Sequence, residues 1–136
     1  MWILQSQQDN LKWVLAETFG QKPEPRYQHA MTHYAKQNAL IVSGGRNDKL
    51  SAIYGDIYFL ALDSLTWLRV ETVKGQGSLD LADHMLLPLN ETEFIVLGGI
   101  DPTYKLANKI SILAFTEERL WAYSHNSRTE SPPKRS

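Results

Sequence analysis

Two histidines four residues apart, His29 and His33, are the first residues in this chain whose spacing could serve chemistry. On a helix, that spacing is typical of a pair of metal ligands. On a strand, at about 3.3 Å per residue, the two side chains share a face but lie roughly 13 Å apart. One ion cannot bridge that gap, and the repeat pattern described below favours a strand. We therefore predict that these histidines hold no metal.

Other catalytic arrangements find no better support. Ser43-Gly44-Gly45 is not the Gly-x-Ser-x-Gly turn that exposes a nucleophilic serine. The glycine pairs lack the spacing and the following helix of a phosphate-binding loop. No spacing singles out an acid–base pair among the carboxylates, which include Asp48, Asp56, Glu91, Glu93 and Asp101. The prediction is a protein that is not an enzyme and carries no cofactor.

Composition and charge exclude several classes of partner. The chain has 136 residues, 43% of them hydrophobic, which is typical of a globular domain. Fourteen basic and fifteen acidic residues leave a net charge of −1. Such a balance predicts neither a nucleic-acid footprint nor a polybasic membrane patch. Since there is no cysteine, disulfides and thiolate metal sites are excluded.

The N-terminal residues carry neither the cationic region nor the long apolar run of a secretory signal. No apolar stretch approaches the roughly 20 residues that span a bilayer. These features predict a cytoplasmic protein.

The segments that would hold a functional site in place occur as repeats along the chain. Trp13, Trp67 and Trp121 are each 54 residues apart, and the pairs Gly44-Gly45 and Gly98-Gly99 share that spacing. His29 and His84 follow at 55 residues. A fixed period of this length is the mark of a repeat architecture.

Each period contains four short apolar runs rich in β-branched and aromatic residues, which predict strands a to d. In the first period we place them near 28–34, 38–43, 56–62 and 66–71, and in the second near 83–89, 93–97, 109–115 and 119–124. Their near-continuous apolarity predicts cover on both faces. Four strands every 40 to 50 residues or so are typical of β-propeller blades.

The first period resembles the kelch repeat at nearly every marked position: Pro25-Arg26 before His29, an apolar run into Gly44-Gly45, then Asp56 and Trp67. The second keeps His84, Gly98-Gly99 and Trp121 but has Leu81-Ala82-Asp83 and Asn108-Lys109 at the other positions. The resemblance implies an all-β fold of kelch-type blades, each of four antiparallel strands, with a divergent second blade.

Within that resemblance, the marked residues are expected to be structural. Glycine closes strand b where a Cβ would obstruct the backbone, and tryptophan supplies an apolar plate against a neighbouring blade. Arg26 and His29 are expected to hydrogen-bond backbone groups between blades. The structural set is Arg26, His29, Gly44, Gly45, Asp56, Trp67, His84, Gly98, Gly99 and Trp121.

The repeat predicts an incomplete propeller of two and a half blades. We assign 1–17 to strands c and d of a half blade, 18–71 to a kelch blade, 72–124 to a divergent kelch blade and 125–136 to a disordered polar tail. Because closed propellers need about four to eight blades, the remaining blades are expected in cis or in trans. The interpretation is a C-terminal fragment whose outer blade faces stay uncovered.

Binding is expected at the long b–c and d–a loops, which emerge on one face of the blades. Two b–c loops mix charges with tyrosine, a composition suited to a protein interface. The candidate partner-binding residues are Arg46, Asn47, Asp48, Lys49, Tyr54, Asp101, Tyr104 and Lys105. An ordinary solvated loop, with the tyrosines turned back onto the blade, is the alternative. In the tail, Ser131-Pro132-Pro133-Lys134 matches a proline-directed kinase motif, which makes Ser131 a candidate phosphosite.

The resemblance implies a protein–protein interaction module, acting as a scaffold or adaptor. Two alternatives remain: an accessory propeller of an enzyme whose catalytic domain lies outside this chain, and a truncated remnant without function. The copper oxidases with a kelch-like propeller need a tyrosine cross-linked to a cysteine, and this chain has no cysteine.

Overall fold

A computed structural model of the chain describes residues 1–70 and 79–115. In that part of the chain, short strands are joined by loops and by two 3-10 turns, Ala35–Gln37 and Asp48–Leu50. The strands are β1 (Trp2–Gln7), β2 (Asn10–Leu15), β3 (Phe19–Gly20), β4 (Ala30–Tyr34), β5 (Ala39–Ser43), β6 (Arg46–Asn47), β7 (Ala52–Ile53), β8 (Ile57–Ala61), β9 (Thr66–Val70), β10 (Met85–Pro88), β11 (Glu93–Leu97) and β12 (Ile110–Ala114).

The first blade is the sheet β4-β5-β8-β9, whose neighbouring strands run antiparallel. These strands confirm the four predicted for the first period, with boundaries that differ by at most two residues over the described part. A fifth strand, β3, pairs in parallel with β9 through Phe19 and Gly20. The sequence did not predict β3, because two residues in a polar loop show no periodicity.

The same strand register recurs on either side of that blade. In the hairpin β1-β2, Leu4 lies opposite Trp13, as Leu60 lies opposite Trp67 in the first blade. The second blade contains β10-β11-β12, again antiparallel. The predicted fourth strand with Trp121, the predicted tail and Ser131 lie outside the described residues. The described part therefore confirms kelch-like antiparallel blades in an open, unclosed arrangement.

An aromatic core joins the two blades. Tyr34 and Phe59 of the first blade meet Phe94 of the second and Phe115, with the Tyr34 and Phe94 rings edge to face at 5.4 Å. Edge-to-face pairs add about 0.5–1.5 kcal/mol to the gain from burial alone. Aliphatic side chains from β5, β8, β11 and β12 fill the space around the rings. This blade–blade core holds the loops of both blades at fixed positions.

Strand β8 is covered on both faces, as its apolarity predicted, whereas the second blade leaves one face uncovered, as predicted for an incomplete propeller. Leu86, Val96 and Leu113 point into the blade–blade core, whereas Ile110 and Ile112 on the opposite face are exposed. The difference arises because only one face of this sheet meets another blade. No helix within the described residues is long and apolar enough to cross a membrane.

Candidate functional site

Arg26 holds the base of the first b–c loop. Its guanidinium donates to the Gly44 carbonyl at 3.0 Å and forms an ion pair with Asp56 at 2.5 Å. It also lies 4.0 Å from the ring centroid of Tyr54. The Arg26 side chain is only 3% exposed, so the charge is neutralised where water cannot reach it. Arg26 does bond to backbone as expected, but within its own blade and not between blades.

Gly44 and Gly45 end strand β5 with positive φ angles of 62° and 98°. A Cβ on Gly44 would lie 2.3 Å from the carbonyl oxygen of Leu81, which leads into the second blade. The Gly45 N–H donates to that same carbonyl at 2.8 Å. The glycine pair is therefore required both for its backbone conformation and for the close approach of the next blade.

His84 provides a buried side-chain hydrogen bond between the blades. Its Nε2 lies 3.0 Å from Oγ of Ser43, and both residues are buried. Burial lowers the pKa of His84, and the neighbouring His29 lowers it further. Partial desolvation also lowers the pKa of His29, although this residue is exposed, and the charge of Arg26 contributes second. The two histidines marked by the repeat thus lie close together near the blade junction, and Ser43 is the partner of His84 that sequence reasoning missed.

The first b–c loop folds into its own small hairpin, β6-β7, around the turn Asp48–Leu50. Asn47 accepts a hydrogen bond from the Lys49 N–H at 3.1 Å and donates to the Pro25 carbonyl at 3.0 Å. Its side chain therefore caps the turn and ties it to the d–a loop. Asn47 is a shaping residue of this loop.

Three loops meet in a loop cluster made of Tyr27, Arg46, Asp48 and Tyr104. Tyr27, from the d–a loop, pairs with Arg46 across a backbone bridge, and its hydroxyl donates to Asp48. The Arg46 guanidinium donates to Asp48 at 2.7–2.9 Å and lies 5.6 Å from the ring centroid of Tyr104. The hydrogen bonds from the Tyr27 hydroxyl and the Arg46 guanidinium lower the pKa of Asp48.

The second b–c loop is shaped by Asp101. Its Oδ1 accepts from the N–H and hydroxyl of Thr103 and from the N–H of Lys105, at 2.6–3.1 Å. These bonds lower the pKa of Asp101. They hold Tyr104 at φ 60°, a left-handed conformation that is costly for a tyrosine, with its side chain 66% exposed. The loop thus presents an aromatic ring to solvent beside Arg46.

The eight residues that the sequence put forward fall into four groups. Arg46, Asp48 and Tyr104 come together in the loop cluster, while Lys49 and Lys105 are exposed beside it. Asn47 and Asp101 shape loops, and Tyr54 lies half-buried under Arg26. Tyr27 was not among the eight, although its place next to Arg26 in the repeat motif was a usable signal.

The described residues contain no group of three or more His, Cys, Asp or Glu side chains that could hold a metal ion. His33 lies in β4, as its repeat position predicted, whereas His29 lies just before the strand begins at Ala30. The loop cluster places the Arg46 guanidinium 5.7 Å from the ring centroid of Tyr27 and 5.6 Å from that of Tyr104, with exposed lysines beside it.

Comparison with known proteins agrees with this geometry. The family model described as the KLHDC2/KLHL20/DRC7 Kelch-repeats domain matches residues 1–136. Dynein regulatory complex subunit 7 from Chlamydomonas reinhardtii is 42% identical over 64 residues, which are 47% of this chain and 5% of that protein.

Two further relatives match longer parts of the chain. Host cell factor from Drosophila melanogaster is 30% identical over 117 residues, 82% of this chain and 7% of that protein. Acyl-CoA-binding domain-containing protein 5 from Arabidopsis thaliana is 30% identical over 91 residues, 67% of this chain and 13% of that protein. The chain thus spans only a small part of each of these relatives.

Proposed function

Because the chain belongs to the kelch-repeat family, a family of protein-interaction modules, we propose that it acts as a scaffold or adaptor that recognises another protein through its b–c and d–a loops. The observation that carries this proposal is the loop cluster, in which Tyr27, Arg46 and Tyr104 come from three separate loops. Convergence of loops on a rigid β scaffold is the usual arrangement of a recognition surface.

The surface has the side chains of a protein interface. Tyrosine and arginine are the residue types that most often dominate binding energy, since they combine large contact area with directional polar groups. Tyr104 is the most accessible of them, and the Asp101 hydrogen bonds keep its loop in one conformation. A loop that is already ordered loses little entropy on binding, which favours affinity. Tyr104 is thus the proposed anchor, with Lys105 and Lys49 at the rim.

The names of the relatives are compatible with this role. One is named as a subunit of the dynein regulatory complex, so a related kelch segment occurs in a multi-protein assembly. For the present chain we propose a protein partner, with blades at 18–71 and 72–124 and a half blade at 1–17 as the units of the scaffold. Further blades, in cis or in trans, would complete the ring.

The experiment is an affinity purification with quantitative mass spectrometry from the native cell, using full-length wild-type chain and matched variants. Tyr104→Asn removes the ring but suits the left-handed backbone, and Lys105→Glu reverses a rim charge. Lys12→Glu, on the exposed N-terminal hairpin, is the control. A partner that is lost with both loop variants and kept with Lys12→Glu supports the proposal.

The proposal fails if every protein recovered with the wild type is recovered equally with both loop variants. Where a partner is found, titration of the purified partner against the wild type and each variant gives the loss of binding free energy. A central interface tyrosine typically contributes about 2 kcal/mol, so Tyr104→Asn is expected to weaken binding roughly 30-fold.

A further inference from the structure

Four consecutive residues, the junction segment 81–84, tie the two b–c loops together. The Leu81 carbonyl accepts a hydrogen bond from the Gly45 N–H at 2.8 Å, at the root of the first loop. Ala82 exchanges two backbone hydrogen bonds with Ile100, of 2.7 and 3.0 Å, at the root of the second loop. The position of one loop relative to the other therefore depends on this segment.

The side chain of His84 fixes the junction segment in place. Its Nε2 lies 3.0 Å from Oγ of Ser43, the last residue of β5. A Cβ on Gly44 would lie 2.8 Å from the His84 ring, and a Cβ on Gly99 would lie 2.9 Å from the Cβ of His84. Because the residue is packed this closely against the ends of β5 and β11, its ring cannot leave without moving the segment.

The site suits a neutral His84 ring and not a charged one. The residue is 6% exposed, and within the described part of the chain its Nδ1 has no hydrogen-bond partner. A neutral ring is compatible with this arrangement, because Nε2–H can donate to Ser43 while Nδ1 carries no proton. A second proton would bury a charged N–H without an acceptor, which is strongly unfavourable.

The groups around the ring do not compensate such a charge. The side chain that bonds it and the two glycines packed on it are uncharged. His29, which faces it from the first blade, would repel a positive ring. The Asp83 carboxylate attracts a proton, but it also accepts a hydrogen bond from the Gln28 amide at 2.7 Å, and burial outweighs it in lowering the pKa of His84.

We propose that the junction segment is a proton-sensitive tie between the two b–c loops. While His84 is neutral, the segment holds Arg46 and Tyr104 at their contact of 5.6 Å in the loop cluster. When His84 takes up a proton, its ring moves out to water, the segment loosens, and the two loops lose their fixed spacing. A partner bound at the loop cluster is then released in mildly acidic surroundings, and that consequence alone rests on the proposed function.

The blades themselves are expected to stay folded and packed, because contacts that do not titrate hold them together. Tyr34 of the first blade and Phe94 of the second meet edge to face at 5.4 Å. Phe59 and Phe115 pack beside them at 4.9 Å from each other. This core lies away from the loops, so the loosening is confined to the junction segment and the loops that it ties.

The pH range follows from the two states of His84. In the loosened segment the ring meets water and has the ordinary pKa of 6.5, whereas the pKa is lower in the closed junction. Below pH 6.5, the loosened state therefore gains up to about tenfold per pH unit. The pKa values of Asp48 and Asp101 are lowered from 3.8, so both carboxylates keep their charge in this range.

Solution NMR of the full chain between about pH 7.5 and pH 5 tests the tie. The ring signals of Tyr104 report its contact with Arg46, the imidazole signals report the protonation of His84, and amide hydrogen exchange reports the loop roots. We expect the Tyr104 signals to shift with the same midpoint as those of His84. Protection of the Ile100 amide, which donates to Ala82, should fall by up to about tenfold per pH unit, while amides in β5 and β8 stay protected.

His84→Gln removes the titrating group and is expected to abolish the response. His29→Gln, at the equivalent position of the first blade and outside the junction segment, is the matched control and is expected to keep it. If His84→Gln does not fold, the midpoints of Tyr104 and His84 in the wild type decide by themselves.

Three results overturn the proposal: loop signals that stay unchanged as the pH falls, a folded His84→Gln variant that responds like the wild type, or loop and strand amides that lose protection together. The measurement uses no partner. Its failure therefore leaves the proposed function standing, and a partner that is insensitive to the loop variants leaves this result standing.

Discussion

Nε2 of His84 lies 3.0 Å from Oγ of Ser43, and this buried hydrogen bond links the two blades. Both atoms belong to residues at the junction, 41 positions apart in the chain. The contact sits directly behind Gly44, where a Cβ would meet the His84 ring at 2.8 Å. The end of strand β5, Gly44 and His84 thus pack together as one unit.

Replacement of Ser43 by alanine is expected to destabilise the fold. The change leaves a buried imidazole nitrogen without its partner, which costs about 1–3 kcal/mol. Urea unfolding of the variant measures the loss. Ser6→Ala, at an exposed position in β1, is the control and should change stability by less than about 0.5 kcal/mol. Equal effects at the two positions would show that the junction bond contributes nothing.

Stability is expected to fall as the pH is lowered through the histidine range. The pKa values of His84 and His29 are lowered in the folded chain, so the folded state resists protonation. Below the ordinary value of 6.5, the unfolded chain therefore binds more protons than the folded chain. The contribution of the two histidines to the free energy of unfolding is complete above pH 6.5. It decreases as the pH falls from there towards the lowered pKa values of the folded chain.

Urea midpoints measured between about pH 7.5 and pH 5 test this dependence. The variant His29→Gln/His84→Gln serves as the control, since it removes both titrating groups and should flatten the slope whatever its absolute stability. A wild-type slope equal to that of the double variant would contradict the assignment.

The Arg26–Asp56 pair is expected to matter far more than an exposed ion pair. Asp56→Asn leaves the Arg26 charge buried with no counter-ion, at a cost of about 3–5 kcal/mol. The pair of Lys36 and Glu91, at 3.8 Å with an exposed carboxylate, is the comparison. Glu91→Gln should cost less than about 1 kcal/mol. Chemical denaturation measures the stability that each variant loses. Similar losses for Asp56→Asn and Glu91→Gln would refute the structural role of Asp56.

Two equivalent glycines are expected to respond differently to alanine. Gly44 and Gly98 have nearly the same φ, 62° and 65°, so the conformational cost of about 1–2 kcal/mol is shared. Only at Gly44 would the new Cβ also strike a backbone carbonyl, whereas nothing lies within 4 Å of it at Gly98. Gly44→Ala should therefore be the more destabilising change in thermal unfolding. The reverse order would mean that the junction packs differently.

The repeat period in the sequence was enough to predict the blades. Apolar runs ending at Gly44-Gly45 and Gly98-Gly99 predicted β5 and β11, because strands of β-branched and aromatic residues are specified by neighbours along the chain. The 54-residue spacing between Trp13 and Trp67 predicted the N-terminal hairpin, in which Trp13 pairs as Trp67 does in the first blade. Fold class and strand order are therefore readable from one sequence.

Tertiary structure alone decided the contacts among loops and between blades. Strand β3 has two residues and exists because the distant strand β9 pairs with it, so no local pattern predicts it, whereas the equally short β6 and β7 pair with each other within one loop. Tyr27 joins Arg46 across 19 positions, and His84 finds Ser43 across 41. Such partners depend on how the sheets stack. The chain specified its strands through local side-chain pattern, whereas its loop cluster and junction arose from packing, which acts between residues remote in sequence.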